Sequence, residues 1–182
     1  MSTKPILVAA LCASLLVASC GKAPPSPQPE TAEARAPAKE TPPAPSATTF
    51  DASRMTGHVT QSACFVTAFN GDPAPDLFHA AAGDRVGVSG WTADSDFNVP
   101  EQVSLILRRD PATAYEFRAT LGPDAARAAE VLGKPQLANA GYTSEIALTG
   151  VQPGTYEIWI SQLTGGTTKY CVVDKQRLLV GP

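Results

Sequence analysis

The chain has 182 residues, of which 43% are hydrophobic and 7% aromatic, and its formal net charge is -3. This length suits one domain of ordinary size with flanking segments. Residues 50–182 hold 10 Lys and Arg against 14 Asp and Glu, so the domain offers no basic surface to a phosphate backbone, and nucleic-acid binding is disfavoured.

The N-terminal twenty residues contain one lysine, Lys4, and then the apolar run ILVAALCASLLVA at 6–18. This run is shorter than the roughly 20 residues of a membrane-spanning helix and is typical of a secretory signal. The sequence Val17-Ala18-Ser19-Cys20 that ends it resembles the lipobox of bacterial lipoprotein precursors. The resemblance implies a signal peptide at 1–19, removed before Cys20, and acylation of Cys20 on its sulfur and its new amino group, palmitate being such an acyl group. The alternatives are an ordinary signal peptide or a buried thiol in a short helix.

The same resemblance implies a location. Two or three acyl chains give a stable membrane anchor, whereas one chain binds only marginally. Gly21 stands where an aspartate would favour retention in the inner membrane. We therefore expect a protein of the cell envelope, anchored in the outer membrane by its acyl groups and facing the periplasm.

The number of cysteines that can form a disulfide follows from this assignment. Cys12 would leave with the signal peptide and Cys20 would become a thioether, so Cys64 and Cys171 remain in an oxidising compartment. We expect a disulfide between them, with a pair of buried, unbonded thiols as the alternative.

A linker is expected at residues 20–49, because Gly21–Thr49 contains eight prolines and no aromatic residue. Such a composition buries too little apolar surface to fold. Proline density favours an extended spacer, and docking of its proline-rich motifs to an aromatic groove is a less favoured alternative. The folded domain is expected at 50–182.

Within the domain, period-two alternation bounded by turn residues predicts about seven strands. The segments are His58–Phe69, Asp84–Trp91, Val103–Arg109, Tyr115–Leu121, Thr143–Thr149, Thr155–Leu163 and Thr168–Val180. The last two are joined through Gly165-Gly166 as in a hairpin. One helix is expected at Asp124–Leu132, ended by Gly133. This pattern predicts an all-β fold, an antiparallel two-sheet sandwich of the Ig-like kind with one short helix.

Several motifs resemble a β-sandwich module that is appended to bacterial cell-surface glycosyltransferases. They are Gly90-Trp91-Thr92 with Asp94, Pro123-Asp124, Gly141-Tyr142 and Gly154. Thr92 stands in place of the module's alanine, and Gly122 in place of its arginine. The resemblance covers about half of the chain and implies a β-sandwich whose matching residues serve turns and packing, with no catalytic residue.

Catalytic and metal-binding patterns are weak. No Gly-x-Ser-x-Gly occurs, the two histidines, His58 and His79, stand apart, and the Gly165 segment lacks P-loop spacing. Asp94-Ser95-Asp96-Phe97-Asn98 imitates the start of a calcium loop, but Val99 replaces its glycine, so a polar turn is favoured over a looser Ca²⁺ site. We expect no catalytic residue, no metal and no cofactor.

The candidate binding surface consists of Trp159, Trp91, Asp94 and Tyr142. Trp159 is out of phase with Tyr156, Ile158 and Ile160, so its ring lies on the opposite face of the strand, where it is either exposed or covered by other parts of the chain. Trp91 is more simply a plug at the end of the sandwich.

Two classes of function compete. The first is a non-enzymatic envelope lipoprotein whose domain binds a protein partner or a cell-surface glycan, or has a structural role. The second is an enzyme or ligand carrier acting on envelope polymers, with a site in the loops around residues 94–101 and 139–142. A pocket lined by an acid or base with a perturbed pKa would favour the second.

Overall fold

The computed structural model describes residues 47–182. The predicted signal peptide 1–19, the predicted lipidation site Cys20 and residues 20–46 of the predicted linker lie outside this part of the chain. The described residues form β1 Thr48–Thr49, β2 Ala63–Phe69, β3 Asp72–Pro73, β4 Leu77–Ala81, β5 Arg85–Ala93, β6 Gln102–Asp110, β7 Thr113–Gly122, α1 Ala126–Leu132, β8 Gly141–Ala147, β9 Gly154–Thr164 and β10 Thr167–Gly181. Two short 3-10 helices cover Ala52–Met55 and Pro135–Asn139.

The strands form one hydrogen-bonded sheet in the order β3-β2-β5-β8-β7-β6-β9-β10-β4, with β1 paired to β7. Strand β7 links the two halves of this order, because it pairs with β6 as far as Ala119 and with β8 from Thr120 onward. The sheet is curled into a half-barrel. The prediction of an all-β fold with one short helix is confirmed. The Ig-like two-sheet sandwich is not confirmed, because β7 makes the strands one continuous sheet.

The structure has ten strands where the sequence predicts about seven, and the additional strands are short. The seven predicted segments correspond to β2 and to β5 through β10, although β2 begins at Ala63 rather than at His58. The other three strands, β1, β3 and β4, have two, two and five residues, too few for a clear alternation. Thr48 and Thr49, placed in the linker by their composition, pair with Glu116 and Tyr115 of β7.

The interior of the half-barrel is filled by the alternate residues of each strand. Leu105 and Leu107 of β6 face the same interior as Tyr156, Ile158 and Ile160 of β9. All five are buried. Each such side chain contributes about 1.5–3 kcal/mol on transfer from water, so this interior supplies the main stabilisation of the fold.

Two smaller clusters lie outside that interior. Phe50, which precedes the first 3-10 turn, and Met55, which ends it, pack on the outer face of β6 and β9. Asp51 begins this turn by accepting a hydrogen bond from Ser53 N at 3.0 Å. Helix α1 packs through Ala129 in the other cluster and ends at Gly133, which adopts the left-handed conformation (φ 62°) that favours glycine at helix ends.

Candidate functional site

The predicted bond between Cys64 and Cys171 is present in the interior and joins β2 to β10, with the Cα atoms 6.3 Å apart. A buried polar group adjoins it. Gln162 donates through Nε2 to Thr92 Oγ1 and to Ala93 O (3.1 Å), and the same nitrogen lies 3.5 Å from Cys64 Sγ. These contacts connect β9 to β5 beside the disulfide and fix the packing of the two strands. Gln162 and Thr92 are buried and do not contact solvent.

Trp159 lies on the outer face of β9, as its phase predicts, but this face is covered. Phe50, Met55 and Tyr170 pack with Trp159, which is 8% exposed. Its indole Nε1 donates to Glu157 Oε2 at 3.0 Å. Trp159 is therefore not an exposed platform for a ligand, and the alternative that other parts of the chain cover it is the one found.

Tyr142 is fully buried beneath β2 and β5. Its hydroxyl donates to Phe65 O at 2.9 Å, and burial raises the pKa of Tyr142 far above its ordinary value. The hydroxyl is thus held as a neutral donor to the backbone. Tyr142 is a packing residue and does not belong to an accessible surface.

Asp94 closes a turn after β5. One carboxylate oxygen accepts from Asp96 N (2.9 Å) and Asn98 N (2.8 Å), and the other accepts from Asn98 Nδ2 (3.1 Å). Burial raises the pKa of Asp94, but the hydrogen bonds from Asn98 and Asp96 and the charge of Lys169 outweigh burial and hold the pKa below its usual range. The favoured polar turn is what this segment forms. Among residues 47–182, no three His, Cys, Asp or Glu side chains are grouped closely enough to hold a metal ion.

Trp91 is the candidate residue that remains partly accessible. Its ring stacks on the ring of Phe65, with centroids 4.6 Å apart and planes at 18°. Trp91 also lines an open groove of about 320 Å³ between β2, β5 and α1. We call this groove, with Phe65 beside it, the Trp91 groove. Its other lining residues include Thr67, Asp124, Arg127, Val131 and Leu132.

The surface of the Trp91 groove is apolar. Val131 is 70% exposed, Phe65 48% and Leu132 42%. Half of the six large hydrophobic side chains that are exposed within residues 47–182 belong to this one place. Asp124 and Arg127 are exposed and give the groove charged groups of both signs at its margin. An apolar centre with a polar margin is the composition of a protein-binding surface.

Two glycines allow the close packing beneath the groove. A Cβ on Gly90 would overlap Phe65 O and lie 2.6 Å from Tyr142 Oη, and a Cβ on Gly141 would lie 2.6 Å from Asp124 N. Gly90 is paired with Tyr142, and the next residue of β5, Trp91, with Gly141. The motif residues around positions 90, 124 and 141 therefore lie close to one another beside the groove, where they act in packing.

No protein-family model matches this chain, and no curated protein is significantly similar to it. Among residues 47–182, no helix is both long enough and apolar enough to cross a membrane.

Phe65, Val131 and Leu132 were missed by sequence reasoning. Phe65 carried a signal, since it is out of phase with Cys64 and Val66 and so lies on the outer face of β2. Val131 and Leu132 end a helix of seven residues, which is too short for its pattern to show which apolar side chains face the sheet.

Proposed function

We propose that the chain is an envelope lipoprotein, anchored through Cys20 in the outer membrane and facing the periplasm, whose folded domain is a non-enzymatic binding module. The observation that carries the binding role is the Trp91 groove. Trp91 lines this groove together with the exposed Val131 and Leu132 of α1, and its ring stacks on the exposed Phe65 of β2.

The chemistry of the groove favours a protein partner over a glycan. A sugar stacks on a free aromatic face, but one face of the Trp91 ring is already covered by Phe65. The remaining accessible surface is largely aliphatic, as at the centre of a protein interface. We therefore take an envelope protein with an apolar patch and a polar margin as the partner, and a glycan as the second outcome of the binding test.

An enzyme or ligand carrier with a site around residues 94–101 and 139–142 gains no support from these side chains. Asp94 is saturated by hydrogen bonds from its own turn, and Tyr142 is buried against the backbone of β2. Neither side chain is available to a substrate in this arrangement.

We infer further that the half-barrel is a variant of the Ig-like sandwich. The two halves of the sheet face each other closely enough for Cys64 of β2 to be bonded to Cys171 of β10. The variation lies in β7, which continues from one half into the other instead of ending in a corner.

The anchor is tested by changing Cys20 to Ala and fractionating cells. We expect the wild-type chain in the membrane fraction and the Cys20→Ala chain in the soluble envelope fraction, because the acyl groups that hold it would be missing. Cys12→Ala is the matched control and should fractionate like the wild type. Retention of Cys20→Ala in the membrane fraction would refute the lipid anchor.

The binding role is tested by placing a photo-crosslinking residue at Val131 in the full chain, in intact cells. Val59 is the matched control, since it is also an exposed valine, 56% exposed compared with 70% for Val131, and does not line the Trp91 groove. We expect a discrete crosslinked protein from position 131 alone. A glycan-sized adduct would show that the ligand is a glycan and not a protein. Equal labelling at both positions would refute the proposal that the groove is the binding surface.

A further inference from the structure

Strand β4 is the outermost strand at one end of the sheet, where it pairs only with β10 and in parallel orientation. It has five residues, Leu77–Ala81, with neither proline nor lysine among them. The opposite end of the sheet is β3, which has two residues, one of which is Pro73. Proteins usually protect exposed edges with prolines, charges or bulges, so β4 is the less protected edge.

The backbone groups of β4 that point outward can be identified from its hydrogen bonds. Arg177 N donates to Asp76 O at 2.8 Å, and Ala82 N donates to Gly181 O at 3.1 Å. In a parallel pair with this register, the even-numbered residues of β4 bond to β10 and the odd-numbered residues face away. Leu77 and His79 therefore each direct one N–H and one C=O outward. No described residue bonds to these four groups, and both side chains are exposed.

The backbone positions on either side of Leu77 and His79 offer no free N–H to a further strand. Beyond His79, Ala81 N donates to Asp84 Oδ2 at 2.7 Å, and Ala81 O accepts from Asp84 N at 3.1 Å. Before Leu77, the next residue in the same phase is Pro75, which has no N–H to donate. Leu77 and His79 are thus an isolated pair of unbonded residues with a blocked position on each side.

We propose that two copies of this chain associate through antiparallel pairing of their β4 edges. With Leu77 of one copy opposite His79 of the other, each residue donates to and accepts from its opposite, which gives four hydrogen bonds around a twofold axis at Phe78. The next pair outward is Pro75 opposite Ala81, the two positions that offer no free N–H. This edge is therefore complementary to itself in one register.

The side chains agree with that register. Leu77, which is 41% exposed, would be partly covered by His79 of the second copy. Asp76, which precedes β4, would lie opposite Ala80 of the second copy, so its carboxylate faces no acidic side chain across the axis. The proposal concerns a different surface from the Trp91 groove and does not depend on the function proposed above.

The first test is sedimentation of the detergent-solubilised full chain over a range of concentrations, with two variants of one residue. His79→Pro removes the outward N–H without breaking any bond to β10, and an edge position of this kind tolerates proline. We expect association about tenfold weaker, or weaker still, because two intermolecular hydrogen bonds are lost per dimer. His79→Ala keeps the N–H and should associate like the wild type.

A monomeric wild-type chain at every concentration would overturn the proposal, as would equal association of His79→Pro and His79→Ala. Tryptophan fluorescence and a urea unfolding transition like those of the wild type show that the fold of each variant is intact.

The second test fixes the register by oxidative crosslinking. A mixture of Leu77→Cys and His79→Cys chains should form a disulfide dimer, because opposite bonded residues have Cα atoms about 5.5 Å apart, within disulfide reach. Each variant alone places its two new cysteines out of reach and should give only the background of the wild-type chain. No excess in the mixture, or equal excess with one variant alone, would refute this pairing.

Discussion

Reduction of the Cys64–Cys171 disulfide should lower the stability of the domain by an amount that its place in the chain determines. The two cysteines are separated by 107 residues. In the unfolded state the bond therefore restrains most of the 136 residues that the structure describes. Both cysteines are buried, and side chains of β2 and β10 pack in the same interior cluster. The bond therefore acts mainly on the unfolded chain, which has far fewer conformations when its ends are joined.

The magnitude follows from the chain-entropy relation. For a loop of 107 residues the relation gives about 4.8 kcal/mol at 25 °C. For the 136 residues 47–182, with an unfolding entropy of about 2.1 cal/mol/K per residue, this corresponds to a fall of about 17 °C in Tm.

The assay is urea unfolding of the wild-type chain with and without a phosphine reductant, followed by tryptophan fluorescence. The matched control is Cys64→Ala with Cys171→Ala, which should be as unstable as the reduced wild type or slightly more so, and insensitive to the reductant. If reduction of the wild type changes the free energy of unfolding by less than about 1 kcal/mol, the loop-closure argument is wrong.

Three other changes test the packing around the Trp91 groove and the turn of Asp94. Gly141→Ala should destabilise the domain by about 1–3 kcal/mol in urea unfolding, because the added Cβ meets Asp124 N; no loss would contradict the close approach. Because burial raises the pKa of Tyr142, the wild type should lose stability as pH rises above 10.0, the ordinary value at which the unfolded chain ionises, and Tyr142→Phe should lose it less steeply in alkaline unfolding. The lowered pKa of Asp94 gives the opposite sign: its contribution is present above pH 3.8 and disappears as pH falls through the lowered pKa. Asp94→Ala should therefore be less stable than the wild type at pH 7, and the difference should shrink on acidification; a difference that stays constant with pH would show that the carboxylate charge has no part in it.

The strand pattern could be predicted where the alternation is long. The outward direction of Trp159 follows from its phase against Tyr156, Ile158 and Ile160 and is correct. Covering of this face is one of the two alternatives that the sequence leaves open, but the covering residues could not be predicted, because Phe50 and Met55 lie at a short turn without periodicity, distant in the sequence. Local pattern determines the face of a strand, whereas the packing of distant segments determines whether that face is exposed.

The sheet topology and the Trp91 groove depend on contacts that no local signal encodes. Strand β4 pairs in parallel with β10, at the far end of the domain, without any connecting turn that would indicate it. Trp91 lines one groove with Val131 and stacks on Phe65, because β5 lies between β2 and β8 and α1 packs beside β5. Asp94 shows the opposite case, since its polar turn is encoded within five residues and was predicted.

The measurement that most directly tests the proposed binding role is crosslinking of the full chain in intact cells from Val131, compared with Val59. The groove account predicts a discrete crosslinked product from position 131, its loss when Leu132 is also changed to Asp, and none from position 59. Undiminished crosslinking with Leu132→Asp, or the same product from Val59, would contradict it.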